Sequence, residues 1–241
     1  MKIRFMPGSF KDIILSKKYF LLVLVCNIFY CFQAAAQQQS TTKVVTSTFA
    51  WTPSRQHTVV KGLALGLNAK PWNDSIAINI NGMNLELGPM GLILGLWGTA
   101  YGLIGHNNDA TGERISFFSK YGYGSLTTVP QYATYIKGLS ISVFGLIETY
   151  NKGVFINGLA GDSYTMEGIQ VSGLINHTTE LTGASIALLT NNATKVNGVQ
   201  IGLINKCKSG NVVQIGLFNR IGKRVTPFIN LNITKRTKQP I

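Results

Sequence analysis

The side chains able to do chemistry are few and scattered. His57, His106 and His177 lie far apart, with no cysteine or carboxylate at the spacing a metal site uses. The carboxylates Asp74, Asp109, Glu113, Glu148, Asp162, Glu167 and Glu180 form no pair whose spacing signals general acid and base work. Glu148 and Glu167 fall inside repeated units, where turn or outward positions are the expectation. Gly124-Ser125-Leu126 lacks the second glycine of a nucleophile elbow, and Gly98 to Gly105 lacks the lysine of a phosphate loop. The sequence therefore names no catalytic, cofactor-binding or metal-binding residue, and the expectation is a protein that is not an enzyme and carries no cofactor.

Charge is the chemistry that remains. The chain is formally +13. Removing a leader of 36 residues takes five basic residues and one acid from 22 and nine, leaving 17 against eight, or +9. The last 61 residues hold nine cations and no carboxylate, whereas residues 37–180 are balanced. Lys206, Lys208, Arg220, Lys223, Arg224, Lys235, Arg236 and Lys238 are thus candidate anion contacts, with Lys195 upstream of them. Anionic glycolipid, phospholipid or polysaccharide would suit such a pole, and a membrane surface is included among these partners. The competing reading is a set of solvated turn ends that keep stacked strands from aggregating. Nucleic acid is not expected, because no binding motif accompanies the charge.

The elements that would position these residues are repeats. Glycines stand at Gly138, Gly153, Gly168, Gly183 and Gly198, fifteen residues apart, and a further unit starts fourteen residues on at Val212. The third position after each start is Ile141, Ile156, Val171, Ile186, Ile201 and Ile215, always β-branched. Val199, Ile201 and Leu203 alternate with Gln200 and Gly202, which is the period of a strand. That alternation predicts a buried row through Ile201 and a wet row through Gln200. Stacking equivalent units lets isoleucine lie over isoleucine, and the closing asparagines Asn176, Asn191, Asn205 and Asn219 form a hydrogen-bonded ladder in such a stack. The polar remainder of each unit provides a turn and a weak second strand. The expected fold is mainly β: stacked 14–15-residue repeats in a solenoid or β-roll, with an antiparallel meander or barrel as the alternative.

Four other segments frame the repeats. Lys17 and Lys18, the apolar run Tyr19 to Phe32 and Ala34-Ala35-Ala36 read as a cleavable export signal over residues 1–36, after which Cys207 is the remaining thiol. Residues 37–58 read as a mobile polar lead with room for one short strand, residues 59–234 as one β-repeat domain and 235–241 as a basic tail. Between the early strands, Gly88, Gly91, Gly95, Gly98, Gly102 and Gly105 recur every three or four residues, the spacing of one helix face. The expectation there is a glycine-striped apolar helix near 88–105, buried against the protein's own sheet, with a membrane-inserted helix or two glycine-rich strands as alternatives. The dense aromatics of residues 110–135 could stack on glycan or pack an edge.

The units GVQIGLIN and VVQIGLFN, with GLALGLN upstream and the closing RIGKRVTPFINLNI, resemble a group of uncharacterised bacterial envelope proteins built from tandem GLQIGLxN-type surface repeats. The resemblance covers Gly138 to Ile233 well and Lys61 to Gly105 loosely. It implies export and a periplasmic, outer-membrane or cell-surface location, and it brings no catalytic residue. Ala187 and Thr190 in GASIALLTN depart from the motif. The resulting expectation is an exported structural or interaction protein of the cell envelope, with an outer-membrane β-barrel or pore as the alternative.

Overall fold

A computed structural model describes residues 44–72, 75–104 and 133–233. Its strands are β1 (Val45–Thr52), β2 (Thr58–Gly66), β3 (Ile78–Glu86), β4 (Thr134–Ser142), β5 (Gly145–Asn157), β6 (Ala160–Ser172), β7 (Ile175–Ala187), β8 (Thr190–Ile201), β9 (Ile204–Ser209), β10 (Val212–Ile221) and β11 (Arg224–Asn232). Among the described residues one helix, α1 (Pro89–Ile104), interrupts them after β3. Strands follow one another across the sheet in sequence order, and each pairs in parallel with the next from β1 to β10. The chain is a β-solenoid, not a meander or a barrel. Only β11 turns back, pairing antiparallel with β10 through a turn at Gly222 and Lys223.

The fifteen-residue period becomes register. Gly138 lies beside Gly153, Gly153 beside Gly168, Gly168 beside Gly183 and Gly183 beside Gly198. These glycines bend each coil midway with positive φ, +128° at Gly168. A Cβ on Gly168 would stand 2.1 Å from the carbonyl oxygen of Gly153 in the coil below. No other residue tolerates both the dihedral and the backbone at that distance, which is why the period is written in glycine.

The expected weak second strand is as well paired as the first. β6 runs unbroken for 13 residues through its corner glycine, so each coil has two strand arms, one before and one after the glycine. The short strand expected inside the polar lead is β1, which pairs along its length with β2 and so joins the sheet.

The interior reverses the expected facing of the arm after the glycine. Gln170, Gln200 and Gln214 are buried, whereas Ile201 is 38% exposed and Ile215 44%. Alternation fixes which residues share a face, and it leaves open which face is inside. Amides and hydroxyls that bond along the stack fill most of the interior on this arm, with Phe155 standing in the same column. The Asn176 amide donates to Asn191 Oδ1 at 3.1 Å, Asn191 to Asn205 at 2.9 Å and Asn205 to Asn219 at 2.8 Å. The expected ladder is therefore present, and it lies inside. Each Nδ2 also reaches across the coil to a carbonyl, Ile186, Ile201 and Ile215 in turn. Gln214 donates to Gln200 at 2.7 Å in a parallel column. The arm before the glycine supplies the apolar core, with Val60, Ile80, Ile136, Met166, Leu181 and Val196 packed in one cluster.

Helix α1 rests on the start of β5, β6 and β7. Leu94, Ile147, Ala160 and Ile175 form its buried contact, flanked by Met90 and Leu174. The glycine stripe permits this approach: a Cβ on Gly91 would sit 2.3 Å from Gly145 Cα, and one on Gly95 would sit 2.9 Å from Leu159 Cβ. The first half of the helix thus packs on the protein's own sheet through Gly91 and Gly95, with Ile93 and Leu96 exposed; the packing expected of Gly98, Gly102 and Gly105 lies outside the described residues. Among the described residues no helix is long and apolar enough to cross a membrane.

Two stability outcomes follow from this packing. Asn205→Asp places a carboxylate where an amide donates to Gly202, Ile215 and Asn219. It should lower stability by about 3 kcal/mol or more, while outward-facing Ile201→Asp should cost the fold of a single chain about 1 kcal/mol or less, read as urea midpoints in dilute solution. Gly95→Leu should destabilise by about 1–3 kcal/mol through overpacking against Leu159, although leucine is the better helix former; Leu92→Met should change the melting temperature little.

Candidate functional site

Two outer faces carry the residues that could engage anything. The polar face belongs to the arms before the corner glycines. There register stacks Asp162 on His177, His177 on Asn192, Asn192 on Lys206 and Lys206 on Arg220. His177 Nδ1 lies 2.8 Å from Asp162 Oδ1, with the imidazole 29% exposed and the carboxylate 7%. A carboxylate that orients an imidazole is the start of acid–base chemistry, but the adjacent hydroxyls are turned away. Ser163 and Thr178 are buried and bonded to each other at 3.2 Å. Among the described residues no group of three or more His, Cys, Asp or Glu could hold a metal ion.

The other candidate groups are dispersed. His57 Nδ1 accepts the Ala77 amide at 3.1 Å. Glu148 pairs with Lys70, exposed Glu167 pairs with Lys152 at 2.7 Å, and Glu180 lies beside Lys195 in register. The Lys152 and Glu167 pair holds the lysine above and the glutamate below its ordinary pKa, each because of the other. Cys207 is buried, and burial pushes its thiol up to about 11, which leaves it unreactive. His106, Asp74, Asp109 and Glu113 fall outside the described residues. Of the aromatic cluster only Tyr135 is described, and it stacks on Tyr150 at 4.8 Å, which stacks on Tyr164 at 5.0 Å. Rings that cover one another in this way stiffen the stack and offer less open face to a sugar.

The cationic pole is partly assembled. Lys206 and Arg220 are neighbours in one column, Lys208 is exposed on the same arm, and Lys223 and Arg224 project at the β10–β11 turn. Arg220 Nε donates to the Gly222 carbonyl at 2.9 Å, and the Arg224 guanidinium donates to the Leu231 carbonyl. Lys235, Arg236 and Lys238 lie outside the described residues.

The second face is apolar, and the sequence reading had turned it inward. On the arms after the glycines, one outward column carries Leu139, Val154, Ile169, Ala184, Val199 and Val213. A second carries Ile141, Ile156, Val171, Ile186, Ile201 and Ile215. Leu63, Leu65, Met83 and Leu85 extend both towards β1, which contributes Phe49 and Trp51. Leu231 and Ile229 close them on β11. All these side chains are half-buried or exposed, and neither column contains a polar residue. A run of β-branched and aliphatic residues every fifteen positions was visible in the sequence; its facing was not.

Glu86 is the titratable residue that sequence reasoning passed over, because it sits unmarked in the alternating strand Ser75 to Gly88. Its side chain is buried, Oε2 accepts from the Ala69 amide and from Asn84, and Oε1 meets no partner among the described residues. Burial pushes the carboxyl up to about 7, against the opposing pull of the Ala69, Asn84 and Ser142 donors. A carboxyl raised in the folded state contributes full stability below its unfolded pKa, and that contribution is lost as pH rises through the folded value. The protein should therefore lose roughly 3 kcal/mol between pH 4.5 and about 7 on this account. Glu86→Gln should flatten that part of the pH–stability curve, measured by urea denaturation.

Comparison with known proteins finds no family model, no curated protein and no solved structure that matches the chain, so its geometry stands alone as the guide to its role.

Proposed function

We propose that this chain is an exported structural or interaction protein of the bacterial cell envelope, and that its cationic end engages anionic components there. Lys206 stacked on Arg220, with Lys208, Lys223 and Arg224 nearby, is the observation that carries this reading. Parallel stacking concentrates charge, because each coil adds its side chain about 4.8 Å from the last. No carboxylate follows Glu180 in the sequence to neutralise these cations. Phosphate-bearing lipid, glycolipid and acidic polysaccharide share the chemistry such an array attracts, within a reach of about 8 Å at physiological salt. The export-type leader and the GLQIGLxN-type repeats support the location.

Membrane fractionation and vesicle binding test this proposal. The protein should leave the membrane fraction in high salt without detergent. The purified full chain should bind vesicles containing phosphatidylglycerol and ignore neutral phosphatidylcholine. Changing Lys223, Arg224, Lys235 and Arg236 to Gln should weaken binding on the order of 10²–10³-fold at unchanged melting temperature, since each cation near an anionic surface contributes about 1 kcal/mol and little to folding. Equal binding by the quadruple variant would remove the proposal's support.

A further inference from the structure

The apolar face is too large and too regular to be incidental. Two columns of ten residues, at about 4.8 Å between strands and about 7 Å between alternate residues, cover on the order of 600 Å². The outward corner residues Leu87, Val143, Leu188, Leu203 and Leu217 widen this to about 750 Å². The largest apolar patch on an ordinary monomer is about 300–600 Å². A stable protein interface takes about 800 Å² from each partner. We propose that this face is the interface of a homodimer, in which two copies pack sheet on sheet through the arms that follow the corner glycines.

The rim of the face favours a second copy over any other occupant. Beside the columns, at the residue before each corner glycine, run Lys137, Lys152, Glu167, Thr182 and Asn197, with Lys61 and Asn81 before them and Asn211 after. The midpoint of the ten strands falls between Val154 on β5 and Ile169 on β6. A two-fold axis along the strands at that midpoint reverses the coil order of the second copy. It sets Lys152 of one copy across from Glu167 of the other, Lys137 across from Thr182, and Lys61 across from Asn211. The rim is thereby self-complementary, an alternating square of two lysines and two glutamates at its centre with no like charges opposed. Lys206 and Arg220 lie on the arms before the glycines, so they stay outside the interface and free for the anionic contacts proposed above. A bilayer on the apolar face would instead leave that pole facing away from the head groups.

Sedimentation equilibrium on the full chain tests this. The parent should be a dimer at micromolar concentration. Ile169→Lys with Ile201→Lys should give a monomer with the parental β-sheet circular dichroism, because both positions face outward. Lys152→Glu should weaken the dimer about fivefold to tenfold by opposing four carboxylates, and adding Glu167→Lys should restore it. A parent that stays monomeric up to about 100 µM would overturn the proposal, as would a lysine double variant that still dimerises. Indifference of the dimer to Lys152→Glu would overturn the two-fold geometry. Binding of a monomeric parent to neutral phosphatidylcholine vesicles, lost in the lysine double variant, would assign the face to lipid and overturn the dimer.

Discussion

Parallel, in-register stacking is the constraint from which the rest of this structure follows. Once coil n lies over coil n+1 with residue matched to residue fifteen positions on, each side chain meets its register partners in the coils on either side, and in the most regular columns these are of its own type. Such an arrangement amplifies both compatibility and conflict. Asparagine over asparagine closes a hydrogen-bonded chain, because each amide has a donor pointing one way along the stack and an acceptor pointing the other. From β2 to β8 a bend repeated at the same place in each coil brings backbones so close that glycine alone stands there; Val212 takes that register position in β10.

A thin coil also changes what an interior can be. Both arms mix apolar and polar groups in the interior. Met166, Leu181 and Val196 share the arm before the glycine with the asparagine ladder, while Gln170, Gln200 and Gln214 share the arm after it with Phe155. Buried amides carry a desolvation penalty unless they are satisfied, and the stack satisfies most of them by repetition. Exceptions mark where the repetition breaks. Asn151 stands in the column between Ile136 and Met166 with its Oδ1 unpartnered, and Glu86 stands where the neighbouring coils offer Gly66 and Ser142 instead of another carboxyl. Helix α1 enters between the third and fourth strands and shields the early corner of β5 to β7, so an insertion is accommodated without breaking the register of Gly82 on Gly138.

The same geometry explains how surfaces with opposite character arise on a chain this uniform. Outward positions of the two arms repeat independently, so one arm can become a line of polar and then cationic groups while the other becomes an unbroken aliphatic plane. Electrostatic attraction at one end and apolar contact along the other arm are compatible functions for a protein that holds a place in an envelope. They use different residues and respond to different conditions, salt for the first and detergent for the second.

How far the sequence alone reaches is clear from particular residues. Gly138 to Gly198 at intervals of fifteen determined the repeating unit and the positions of the corners, since a period written in a conformationally special residue has few geometric meanings; the parallel order, against an antiparallel meander, was decided by the structure. Asn176 to Asn219 determined the ladder, and the three-four spacing of Gly91 and Gly95 determined a helix lying close on a neighbour. Cations after Glu180 marked a pole. Tertiary structure decided the facing: a period of two is symmetric under exchange of inside and outside, and only the closing of the coil puts Gln200 in and Ile201 out. Closure also decided the burial of Glu86 and the assembly of the apolar plane, because both depend on which coil lies beside which, a fact no single strand carries.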